Sequence, residues 1–566
     1  MVSTRSAGQV CSRAERENEG FHWSDWSPKV TRLNAPRDSG AKLIEPPLPL
    51  AASMAATNKR TVAGADYDLQ GRSLASLAAE ARVQLLAEAH RYTRGYRDVS
   101  VPTSPEFVFL AGHQPEMFHP GVWFKNFVLA RLAREHGAVA VNLQIDSDAM
   151  KTASLRVPGG SADEPRLESI AFDRASAADM PFEQAAIADR DYFESFGQRV
   201  AHQIRPLVAQ PLVEKYWPMV LKRSRETDNL GSCLTQARHQ FEGQWGLETL
   251  EIPQSRVCDL TAFRWFIAHL LANLPRFWEA YNTALLEYRR KHKVRSAAHP
   301  APELAAIDDW LEAPFWIWSH DDPRRRRLFV RQQDRELVLS DRAGVQVFLP
   351  LAPEGGADRA IEKLAELSAF GVRIRTRALI TTLAARLLLG DFFIHGIGGA
   401  KYDELTDQII ARFFCLVPPG YMVVSGTLHL PIAGQLPDSN HVQDLRQRIR
   451  ELEFHPERFL ADISAPQSPD GQPIFTAIRE KRRWVSTQQT PANARQRCHA
   501  IRWANQELQA AVSGLRELWT KQADEAARRQ RSKAILASRG YAFALFPEAA
   551  LTNFLLPELE ISADSG

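Results

Sequence analysis

Two stretches of this chain combine glycines with side chains able to move protons or hold anions. They are Gly112-His113-Gln114-Pro115-Glu116-Met117-Phe118-His119-Pro120-Gly121 and His395-Gly396-Ile397-Gly398-Gly399-Ala400-Lys401-Tyr402. Each follows a short apolar run and precedes an amphipathic stretch. A loop between a strand and a helix gathers backbone N–H groups without partners and the positive end of the helix dipole, so it favours anionic groups. His113 and His395 are the general-base candidates, because each is predicted at a strand end and imidazole titrates near neutrality. Asp146 and Asp148 follow another apolar run and could orient such a histidine or hold an ammonium group. Gly112, Gln114, His119, Gly396, Gly398, Gly399 and Tyr402 belong to the same predicted crevice, while Arg377 and Lys401 could balance carboxylate or phosphate charge. Every one of these has a local reading as well. Such a histidine can cap a helix, the aspartates can close a turn, and the glycines can serve a tight bend.

The elements that must position these residues are visible as hydrophobic periodicity. Leu74, Leu77, Ala78, Ala81 and Leu85 form one helical face; Phe107 to Ala111 predicts a strand, Val122 to His136 a helix and Ala138 to Ile145 the next strand. This β-loop-α-β order predicts a parallel sheet with ligands outside the carboxyl ends of its strands, hence an α/β, Rossmann-like core over residues 66–435. Within it, residues 180–300 predict a helical insertion and residues 313–341 a small antiparallel β insertion. The run Arg324 to Arg327 predicts a solvated turn, and Trp316 and Trp318 predict packing positions. Ala378 to Leu389 then predicts a helix, Asp391 to Ile394 a strand and Tyr402 to Phe414 a helix.

Residues 1–65 lack sustained periodicity and predict a mobile N-terminal arm. Residues 436–540 predict a helical coiled-coil arm, because Cys498, Ile501, Asn505, Leu508, Val512, Leu515 and Trp519 follow steps of three and four. That seam offers a homodimer interface. Residues 541–566 predict a tail packing on the core.

Composition narrows the function classes. The 70 basic residues are nearly matched by 67 acidic ones, for a net charge of +3, which gives no case for a nucleic-acid partner. Nothing approaches a membrane span or a signal peptide. The five cysteines are scattered and lack a C-x-x-C pair, which suits a reducing cytoplasm.

With the loops placed, the chain resembles the bacillithiol-biosynthesis cysteine-adding family, BshC. Phe107 to Gln114 is similar to that family's strand running into a Gly-Gln-Gln turn, and Ile145-Asp146-Ser147-Asp148 lies where the family carries Glu-Asp-His-Asp. Arg377-Ala378-Leu379, the strand to Ile394, Gly396-Ile397-Gly398-Gly399 and Tyr402 resemble its Arg-Pro-Leu helix, strand and Gly-Pro-Gly-Glu loop before a Tyr-bearing helix. The likeness covers residues 65–430 and the final helical arm. It departs at Ile145, Ser147 and Gly399, where the family's acidic residue, histidine and glutamate are replaced. The resemblance implies a ligase joining the carboxyl group of cysteine, or another amino acid, to the amine of an amino-sugar acceptor such as glucosaminyl-malate, with ATP or another nucleotide as the conceivable activator.

Two other classes stay open. His113, His119, Asp146, Asp148 and His395 are ligand types that a divalent metal accepts, which predicts a metal-dependent enzyme if they converge. The replaced family residues also allow a non-catalytic binding protein that acts through its coiled coil.

Overall fold

The buried runs of the sequence become the strands of a mixed α/β protein in the computed structural model. It describes residues 33–102, 104–174, 180–352, 356–432, 442–460 and 472–558. Along the chain, β1 (Lys42–Glu45) leads to α1 (Ala51–Ala63) and α2 (Leu74–Arg94), and β2 (Val108–His113), α3 (Pro120–Glu135) and β3 (Val139–Gln144) follow. Then come β4 (Ser154–Gly160), β5 (Pro165–Ala171), several short helices, α4 (Leu230–Gln244), β6 (Leu250–Pro253) and α5 (Thr261–Ala272). After α6 (Leu274–Lys291) the chain forms β7 (Ala306–Ile307), β8 (Trp310–Ser319), β9 (Arg326–Gln333), β10 (Glu336–Ser340) and β11 (Gln346–Leu349). Next are α7 (Asp358–Ala369), β12 (Val372–Thr376), α8 (Ala378–Ala384), β13 (Phe392–His395), α9 (Ile397–Ile409) and β14 (Tyr421–Gly426).

The first sheet has the order β1-β14-β13-β2-β3-β6. Its five inner and right-hand strands pair in parallel, and β1 joins antiparallel with Ile44 opposite Val424. The parallel strands read as continuous apolar runs because helices cover both faces. Register fixes which side chains share a face: Ile394, Ala111, Asn142 and Glu251 stand in line on one side. The neighbouring line, Phe393, Leu110, Val141 and Leu250, points the other way into a core built with α2, α5 and α8.

The second sheet runs β11-β10-β9-β8-β12, with β7 added to β8. It is antiparallel, and β8 carries a bulge between Glu312 and Trp316. The β insertion thus reaches from β7 to β12, past the expected limits of 313–341, because Val372–Thr376 completes the sheet against β8 after an intervening helix.

Two other expectations change. Residues 1–32 lie outside the described residues, but the end of the predicted mobile arm is folded: β1 closes the first sheet, and α1 buries Ala51, Ala55 and Val62. A four-residue edge strand followed by a 13-residue helix of mixed apolar and polar residues shows little sustained periodicity. The helical insertion of 180–300 contains β6, whose four residues supply the other edge of the parallel sheet. Of the predicted tail, residues 541–558 are described; Phe543 packs on Trp123 and Phe554 on Phe124.

The chain divides into two compact units. One holds residues 1–157, 168–431 and 539–566, and the other holds residues 158–167 and 432–538. In the second, α10 (Val442–Phe454), α11 (Gln472–Ser486), α12 (Ala494–Ala511) and α13 (Ser513–Leu536) pack together. The seam expected to run unbroken from Cys498 to Trp519 is interrupted at Val512, between α12 and α13. Leu508 and Ala504 are covered by Ala477, Ile474 and Ile478 of α11, whereas Val512, Leu515 and Trp519 meet Leu445, Ile449 and Leu452 of α10. Leu508, Val512, Leu515 and Trp519 are therefore covered within the same chain, while Cys498 at the start of the seam is exposed. No helix among the described residues is long and apolar enough to cross a membrane.

Candidate functional site

The parallel strands end on a common edge, and the predicted loops lie there. At β13, His395 is buried and its Nε2 lies 2.5 Å from Oδ2 of Asp403, two turns along α9. Arg386 donates to the same Asp403 oxygen at 3.0 Å and to Asp407 at 2.5 Å. It reaches both because the helix after α8 widens into a π turn over Ala385–Leu389, a local insertion often found where a side chain must be redirected. Burial pushes the Asp403 carboxyl up, but the His395 ring and the Arg386 guanidinium outweigh it and hold the group below the ordinary carboxylate range. For Asp407 burial wins, and its pKa is raised to about 6.

The glycines of the loop have separate physical roles. Gly399 bares the other edge of the imidazole, since a Cβ there would come within 2.6 Å of His395 Nδ1. Gly396 is the N-cap of α9 and supplies no side-chain cap, and space is open at Gly396 and Gly398. The first N–H groups of this 13-residue helix thus have no capping side chain, which suits an anion. Lys401 is exposed on the same turn, and Tyr402 packs edge-on against His299.

His113 belongs to a different place. His395 follows Ile394, which is paired with Ala111, so His395 aligns with Gly112 and His113 projects from the opposite face of the sheet. The two histidines do not converge on one crevice; the pleat of adjacent parallel strands separates them. His113 packs against Phe118, and burial followed by the nearby Lys125 charge lowers its pKa to about 3. It is not the near-neutral base expected. His119 follows the local reading: it caps α3 by accepting the Gly121 N–H at 3.1 Å, and burial lowers its pKa to about 4. The carbonyl of Gly112 accepts a hydrogen bond from the buried Lys125 at 2.5 Å.

Among the described residues, Asp146 and Asp148 hydrogen-bond to no histidine. Asp146 accepts from the Ser255 N–H at 2.9 Å and its hydroxyl at 2.5 Å, while burial and then Glu183 raise its pKa to about 7. Asp148 accepts from Gln114 at 3.1 Å and from Arg325 at 2.8 Å. Ser147 donates to Gln254 at 2.7 Å, and Gln254 in turn reaches Thr381 and Thr376. Arg377 pairs with Glu312 at 2.7 Å on the second sheet. The arginine run is more than a solvated turn. Arg324 and Arg326 hold Asp322, but Arg325 reaches the β3 end and Arg327 reaches the buried Glu312.

The expected metal set does not assemble, since its members are divided between two faces and several hydrogen-bond networks. Among the described residues, the group near enough to share an ion is His239, Glu242 and Glu251, with ligand atoms within 4.8 Å of one another. Arg238 already bridges those carboxylates, bonding Glu242 at 2.5 Å and also Glu251, while Trp123 and Asn126 donate to Glu242. This is an ion-pair network on the α3 side of the sheet, in which Oε2 of Glu242 is buried without a hydrogen-bond partner. Sequence reasoning missed it, along with Asp403 and Arg386. The Asp403/Asp407 pair, spaced by four on a predicted helix, was the available signal.

No protein-family model matches the chain, and no curated protein matches its sequence.

Proposed function

We propose that the chain is an amide-forming ligase resembling the bacillithiol cysteine-adding family, built on a Rossmann-like core with a coiled-coil-like helical arm. The observation that carries this reading is His395: Asp403 holds Nε2, and Gly399 leaves Nδ1 bare at the uncapped start of α9. An ionised carboxylate on Nε2 favours the tautomer with its proton there, so the Nδ1 lone pair can take a proton from an attacking amine. The carboxylate would also stabilise the imidazolium that results. Backbone N–H groups of Ile397, Gly398 and Gly399 suit the oxygens of an activated acyl group, with the helix dipole favouring the negative charge. A bound nucleoside triphosphate would supply the activation of the carboxylate. In this scheme His113 and His119 are structural, and the base is His395 alone.

The test compares low-molecular-weight thiols in cells carrying the intact chain, cells lacking it and cells carrying His395→Ala. Loss of one thiol in the last two supports the ligase. An unchanged thiol profile in cells lacking the chain removes the cysteine-adding assignment.

A further inference from the structure

Beyond the ligase reading, a second cluster joins the two sheets of the first unit. Trp316 on β8 has two guanidinium groups over its ring, Arg377 at 4.4 Å and Arg325 at 4.8 Å from the centroid. Like charges so placed repel each other, and the compensating carboxylates are only partly matched to them. Arg377 meets Glu312 through Nη1, leaving Nε and Nη2 buried without a hydrogen-bond partner. Arg325 spends Nη1 on Asp148 and the Ser147 carbonyl, and its Nε is likewise buried and unpartnered. Glu312 is shared, since it also accepts from Arg327 at 3.2 Å and from the Ala305 N–H at 3.1 Å.

The free groups on Arg377 have a specific geometry. Nε and Nη2 form the side-on fork of a guanidinium, whose two parallel N–H bonds match the two oxygens of a carboxylate or phosphoryl group. Buried donors without acceptors are costly, so the cluster is least stable with nothing against that fork. The aromatic face supplies a dry wall that strengthens charge attraction, and cation–π contact fixes the planes of both guanidiniums. Asp148, the partner of Arg325, is part-exposed whereas Glu312 is fully buried, which marks the side from which an anion would enter, by displacement of the Arg325 side chain.

We propose that Arg377, Arg325 and Trp316 form a receptor for one small oxyanion, a carboxylate or phosphoryl group, held by the Arg377 fork with Arg325 closing over it. The inference does not need His395 chemistry.

The test is calorimetric titration of the full chain with inorganic phosphate and, separately, with succinate, at constant ionic strength. The expected result is saturable binding of at least one; phosphate alone assigns a phosphoryl group and succinate alone a carboxylate. Arg377→Lys keeps the charge but loses the fork, and is expected to weaken binding about tenfold or more. Arg325→Gln, whose carboxylate partner Asp148 is part-exposed, is expected to weaken it severalfold and carries the test if the first variant unfolds. Arg324→Gln, whose side chain is exposed and pairs with Asp322, serves as the unchanged control. Absence of saturable binding of both anions, or equal binding by the wild type and Arg325→Gln, overturns the proposal.

Discussion

Replacing Asp403 by Asn tests the network around His395 without changing its volume. In the native chain Asp403 is fully buried and one of its oxygens meets both the His395 ring and the Arg386 guanidinium. Each contact is a charge-assisted hydrogen bond, and making the acceptor neutral lowers each by about 1–2 kcal/mol. Arg386 keeps Asp407 at 2.5 Å and the Pro419 carbonyl, so the loss stops short of an unpaired buried charge. The expected destabilisation is about 2–4 kcal/mol, read by urea denaturation at pH 7.5. A second readout is specific to the proposed chemistry. The oxygen that meets Nε2 also accepts from Arg386, so the Asn Oδ1 keeps that place and still accepts the Nε2–H, but without the charge that fixes this tautomer. Nitrogen-15 NMR of labelled histidine reports the tautomer: Nε2–H in the wild type and a mixture of Nε2–H and Nδ1–H in the variant. Removing the Asp403 charge also relieves Asp407, whose pKa should fall from about 6. Unchanged stability together with an unchanged His395 tautomer would refute the argued role of Asp403.

The remaining predictions concern other parts of the first unit. Gly399→Ala places a Cβ against His395 Nδ1 and is expected to cost roughly 1–3 kcal/mol and to abolish any activity that depends on that nitrogen; a fully active variant by thiol profiling would contradict it. Asp146 has a pKa raised to about 7 when folded against 3.8 as the ordinary value, so the folded state holds a proton that the unfolded chain releases between those limits. Its contribution therefore falls as pH rises from about 4 to 7 and is level above, and Asp146→Asn should remove that fall, roughly 4 kcal/mol; parallel stability–pH curves for the two proteins would refute it. Arg238→Met leaves Glu242 and Glu251 buried without their bridge and is expected to destabilise by about 3–5 kcal/mol, measured by chemical denaturation. If Glu242→Gln is introduced beside it, part of that loss should return, because one of the two uncompensated charges is gone.

Much of the fold could be read from local pattern, for reasons that lie in the residues. Val108 to Ala111 and Val139 to Val141 are apolar on both faces, as a covered parallel strand requires, and His119-Pro120 opens α3 where a cap and a first-turn proline belong. β1 and β6 were not legible, since each is only four residues long and is held by pairing with a strand distant in sequence. The seam from Cys498 to Trp519 keeps its spacing through Val512, yet its two halves serve different neighbours. Periodicity reports that a face is apolar and is silent on what covers it.

For the candidate site, residue types and spacing determined that chemistry-bearing groups collect at strand ends: the glycines before α9, His395 after an apolar strand, and the polar residues after β2 and β3. Tertiary structure alone decided which of them meet. The register of β13 against β2 places His113 and His395 on opposite faces, a consequence of the two-residue period of a strand that no local pattern contains. The partners that give His395 its character, Asp403 and Arg386, come from different helices brought together by packing, and Arg325 reaches Asp148 across a large gap in sequence. Local sequence set what each segment could offer, because propensity and capping act within a few residues. The choice of partner belonged to burial and register, which act between segments far apart in the chain.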